Sequence, residues 1–121
     1  MQPPDKSISK NALTAVLSYE LMRLENLSMN ERMLAASELS AAIQTIKIGA
    51  KSDQDFFEHQ ANFYKSVKSE SIARGPSHTR TTKFIVASIM ECVCKAAAID
   101  GLQDVLITSV KNWIRGSATK I

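Results

Sequence analysis

Helix breakers are scarce in this chain. There are four glycines and three prolines in 121 residues. That scarcity excludes collagen-like and Pro/Gly-rich low-complexity chains, and the 45% hydrophobic content excludes a disordered one. Aromatic residues make up only 6%, which disfavours a β-sandwich, where aromatics and β-branched residues alternate. Two cysteines, Cys92 and Cys94, are too few for a disulfide scaffold. Two residues apart on one helix, they point about 200° from each other and cannot bridge. They read as reduced core residues of a reducing compartment. No partners at zinc-binding spacing accompany them, so neither a metal nor a cofactor is expected.

Catalytic signatures are missing too. Glu58-His59 lacks the second histidine of a metalloprotease helix, and His78 stands apart from it. Gly49, Gly75, Gly101 and Gly116 each stand where a helix is expected to end, so none belongs to a phosphate-cradling loop. A non-enzymatic protein is expected. The opening stretch MQPPDKSISK has no apolar run of signal-peptide type, and no apolar stretch reaches the ~20 residues of a membrane span. The expected location is cytoplasmic, with no membrane partner.

What is plentiful is helical periodicity. The dominant stretch is 84–99, FIVASIMECVCKAAAI. Its polar residues Ser88, Glu91 and Lys95 fall within an arc of about 60°, and the rest of the cylinder is apolar. A helix of this kind is buried on most sides. Residues 79–99 are therefore expected to be the central post of an all-α bundle of about five helices. Ser88, Glu91 and Lys95 would form its strip towards water or towards a second subunit.

The other helices follow from their stripes. The first begins near Ser7 or Ser9 and turns Leu13, Val16, Leu17, Leu21 and Leu24 inward, with Tyr19 and Met22 to one side and Glu20, Arg23 and Glu25 towards water. Ser28 and Glu31 have capping-box spacing and start a second helix that stops at Gly49. Its inward face reads Met33, Ala36, Leu39, Ile43 and Ile46, flanked by Ala35 and Ala42. The short link implies an antiparallel hairpin of these two helices. A third helix starts at Ser52, carries Phe56, Phe57, Phe63, Tyr64 and Val67 as core anchors, and ends at Gly75-Pro76. The last runs over 102–115, burying Leu102, Val105, Leu106, Val110 and Trp113, and ends at Gly116. The domain layout is a tail over 1–7, one helical domain over 8–116 and a tail over 117–121. Three helices carry more than one apolar face, which implies a homodimer.

Charge is uneven. Residues 1–70 sum to −1 and residues 71–121 to +4, so a local positive field is expected in the second part. The segment Arg74–Lys83 places Arg74, His78, Arg80 and Lys83 around a helix N-terminus, a candidate site for an anion or an acidic partner. A second candidate spans 93–112. Ala97 precedes Gly101 by four, and Leu102, Ile107 and Val110 follow, as in helix-turn-helix DNA readers, although Asp100 stands where an apolar residue is usual. Its outward face would offer Gln103, Thr108, Ser109, Lys111, Asn112 and Arg115, with Asp104 opposing phosphate. The leading expectation is a regulator, adaptor or inhibitor acting through contacts with a protein partner. The alternative is a DNA-binding transcriptional regulator.

Overall fold

The computed structural model describes residues 6–49, 55–73 and 78–119, with side-chain burial for residues 10–47, 55–73 and 81–117. It is an all-α bundle of five helices, with no strand among the described residues. The order is α1 (Lys6–Glu25), α2 (Met29–Gly49), α3 (Phe56–Ala73), α4 (His78–Lys95) and α5 (Leu102–Thr119), with one 3₁₀ turn, Ala96–Ala98, after α4.

Helix α4 is the post around which the others stand. Every residue from 85 to 94 is buried. Helices α1, α2 and α3 all pack on it, α3 most extensively. Ile89, Met90 and Val93 are fully enclosed and meet Leu17 and Leu24 of α1, Leu39, Ile43 and Ile46 of α2, and Leu102, Leu106 and Val110 of α5 in one core.

The boundaries follow from local chemistry. At the start of α2 the Ser28 hydroxyl accepts a hydrogen bond from the Glu31 amide at 3.3 Å, the expected cap. The α4–α5 connection needs Gly101, whose φ of 76° lies in the left-handed region that side chains disfavour. Ile99 before it is extended, and its amide closes the 3₁₀ turn onto the Ala96 carbonyl at 3.0 Å. Gly116 differs from the expectation. It lies inside α5, which continues to Thr119, because one glycine costs a helix only about 1 kcal/mol and does not terminate it.

Several expected faces are rotated. On α1, Val16 is exposed and Glu20 is buried. On α2, Met33 is exposed and Ala35 takes the inward place, so the stripe is Ala35, Leu39, Ile43 and Ile46. On α5, Val105 is exposed while Ile107, Trp113 and Ile114 pack against the core. Helix α3 buries no residue fully, and Phe63 faces outward. The α1–α2 link is short, yet the two helices make most of their contacts elsewhere, α1 with α4 and α2 with α4 and α5. The cause is α4 itself, which has no free side and so spreads its neighbours apart. The termini 1–5 and 120–121, the start proposed at Ser52 and the stop proposed at Gly75-Pro76 lie outside the described residues.

Ile89→Ala should cost about 2–5 kcal/mol in urea unfolding, as expected for a fully enclosed aliphatic side chain. Gly116→Ala should gain about 0.5–1 kcal/mol in the same assay. It has ordinary helical backbone, and nothing lies within 4 Å of an added Cβ.

Candidate functional site

Two carboxylates sit in the interior. Glu20 is 5% exposed and Glu91 is 7% exposed. Glu91 accepts a hydrogen bond from Lys68 of α3 at 3.1 Å and lies 3.8 Å from Lys95 one turn along α4. Glu20 pairs with Arg23 at 3.2 Å on its own helix. Phe84 of α4 completes the group, with Arg23 and Lys68 at 5.8 and 5.5 Å from its ring centroid, within cation–π reach. The polar strip of α4 therefore does not meet water as expected. Ser88 and Glu91 are buried, and only Lys95 is exposed. Each acid already has a cation, so the cluster acts as a clamp between α3 and α4 with α1 beside it. Sequence reasoning placed Glu20 in water. The available signal was its position, three residues after Leu17 and four before Leu24, both inward residues of the same stripe.

The thiols are chemically quiet. Burial, with the Glu91 charge adding to it, pushes Cys92 up to about 11 and Cys94 up to about 12. Both are free, and neither holds a thiolate at neutral pH. Among the described residues no three His, Cys, Asp or Glu side chains converge on a common point. No helix among them is long and apolar enough to cross a membrane.

The first anion candidate is only partly described. Arg74 lies outside the described residues. His78 and Arg80 belong to the first turn of α4, but their side chains also lie outside them. Lys83 is exposed and lines a groove together with Glu38, Phe63 and Tyr64, so a carboxylate shares its surroundings.

The second candidate is split by the fold. Gln103 donates its amide to the Val93 carbonyl at 3.1 Å, tying α5 back to α4. Ser109 donates to the Val105 carbonyl within α5. Ala97, the small residue of the helix-turn-helix pattern, is exposed, and Ala96 is buried in its stead. Helix α5 also packs more on α2 than on α4. Thr108 and Asn112 are exposed on α5. Lys111 and Arg115 turn towards the end of α2, where they share a concavity with Lys47. Lys47 escaped the sequence reading because only the packing of α2 on α5 joins residues so far apart in the chain. Trp113 is a half-buried anchor, its indole N–H held by Glu25 at 2.8 Å, with Arg32 3.6 Å from the same carboxylate.

The outer side of α1 carries an apolar strip. Ala12, Ala15, Tyr19 and Met22 are all exposed, Tyr19 at 56% and Met22 at 59%. They lie opposite Leu17 and Leu24 on the helix, at about 100° per residue. Their spacing of three, four and three residues is the seam spacing of a coiled coil. Helix α1 thus buries a carboxylate and exposes an apolar seam. No protein-family model, curated protein or solved structure matches this chain.

Thiol titration should show neither cysteine reacting freely at neutral pH, so the labelling rate should follow an opening equilibrium of the bundle. The Glu20 carboxyl is raised from its ordinary 4.5 by burial, against the opposing pull of Arg23 and then Lys68. A raised acid stabilises the fold below its unfolded pKa, and that contribution is lost as pH climbs through the folded value. Glu20→Gln should therefore match the parent near pH 4 and exceed it in stability at pH 7, measured by urea unfolding at both.

Proposed function

We propose that this protein is a non-enzymatic helical regulator or adaptor that works through protein–protein contacts as a homodimer, with α1 forming the dimer seam. The observation that carries the reading is the apolar outer seam of α1. A monomer gains nothing from holding Tyr19 and Met22 in water, and an apolar strip in register over about three helical turns marks an interaction surface.

The seam's own composition supports a second copy as its occupant. Its N-terminal half holds the small residues Ala12 and Ala15, and its C-terminal half the large residues Tyr19 and Met22. Antiparallel pairing about a two-fold axis near residue 17 sets Ala12 against the partner's Met22 and Ala15 against the partner's Tyr19. Large residues then fill the space that small ones leave, in the reciprocal manner of a two-fold interface. Arg23, at 5.8 Å from the Tyr19 ring centroid, lies beside the seam as part of a polar rim.

Sedimentation equilibrium at micromolar concentration should give about twice the 13.3 kDa chain mass. Tyr19→Glu with Met22→Glu should give the single-chain mass with unchanged helicity, and Val105→Glu on another face should leave the dimer intact. Ala15→Leu alone should weaken association, and adding Tyr19→Ala should restore it. A monomer in the parent protein removes the proposal.

A further inference from the structure

The concavity between α2 and α5 has a divided character. At one end Lys47, Lys111 and Arg115 converge, with the Ser40 hydroxyl and Gln44 amide beside them. At the other end the groove continues past Ile114 along Met33, Ala36 and Ser117. The two halves measure about 150 and about 230 Å³ and share Ser40 and Ile114.

Among the described residues the cationic end lacks a counter-charge. Ion pairs elsewhere engage Arg23, Arg32, Lys68 and Lys95, but none of the described carboxylates pairs with Lys47, Lys111 or Arg115. Two ammonium groups have donors only and cannot satisfy each other. Their proximity, followed by burial and Arg115, pulls Lys111 below the usual lysine range. An anion bound among them would reverse that penalty, accepting from both lysines and from the planar fork of Arg115. In the apolar half, the Ser117 hydroxyl oxygen is buried without a hydrogen-bond partner. It can serve a polar atom that enters the groove.

We propose that the α2–α5 groove binds a small phosphate ester, with Lys47, Lys111 and Arg115 on the phosphate and Met33, Ala36 and Ile114 against an apolar body. This goes beyond the dimer seam, which lies on α1, and does not depend on it. A phosphate suits the site because its oxygens can accept from several converging donors at once. Duplex DNA suits it less, because its phosphates call for cations spread along a surface, and here three cations face one concavity over an apolar floor.

The test is an amide NMR titration of the full chain. The probes are inorganic phosphate, sodium chloride at matched ionic strength, and octyl phosphate below its micelle concentration. Phosphate should shift amides within 40–47 and 111–117, and octyl phosphate should bind at least about tenfold tighter, extending the shifts to Met33 and Ala36. Lys47→Met with Lys111→Met should weaken both by about tenfold or more with an unchanged circular dichroism spectrum. Equal shifts in chloride would mean an adventitious ion only and would overturn the site, as would octyl phosphate binding no tighter than inorganic phosphate. A random 16-bp duplex that shifts these amides where octyl phosphate does not would pass the residues to nucleic acid and overturn the phosphate-ester assignment.

Discussion

Helix α4 is enclosed over ten consecutive residues, 85–94, and that enclosure sets the terms for everything else. A helix without a solvent face must be surrounded, so three other helices are committed to covering it. It also cannot send its polar residues to water. Glu91 must be matched inside, and the burial of a carboxylate costs several kcal/mol unless a cation and hydrogen bonds accompany it. Lys68 of α3 supplies both at 3.1 Å. The position of α3 against α4 is thus held by a charge pair as well as by apolar packing.

The same enclosure explains the division of labour at the surface. Helix α1 gives Leu17, Leu24 and Glu20 to the interior and is left with a second apolar side. Helices α2 and α5 pack on each other and bring Lys47 to Lys111 and Arg115. One surface is apolar and linear, the other cationic and concave. They lie on different helices.

Much of this architecture was legible in the sequence. The largely apolar run of α4, the Ser28–Glu31 cap and the Gly101 turn are local signals, and each has its expected structural counterpart. Faces were harder to read. A helix such as α1 or α2 is apolar on more than one side, so its periodicity supports several rotations equally, and only packing chooses between Val16 and Glu20, or between Met33 and Ala35. The cation cluster was half legible. Lys111 and Arg115 stood out on α5, but Lys47 joins them through a tertiary approach that no local pattern encodes. Gly116 misled because helix-stop statistics describe glycine at helix ends and carry no weight where the backbone simply continues.

The anchoring of α3 is unlike that of the other covering helices. It covers the charged strip of α4 while burying no residue fully. Its neighbouring rings meet edge to face, Phe56 with Phe57 at 5.4 Å and Phe63 with Tyr64 at 5.3 Å, and all but the outward-facing Phe63 also pack on the core. Lifting α3 away would break the Lys68–Glu91 pair and hydrate both groups, although no residue of α3 itself is fully buried. The fully enclosed Leu24–Leu39–Ile89–Leu106 interior contains no residue of α3, so the wall that neutralises Glu91 is separate from the helices that close the dry centre.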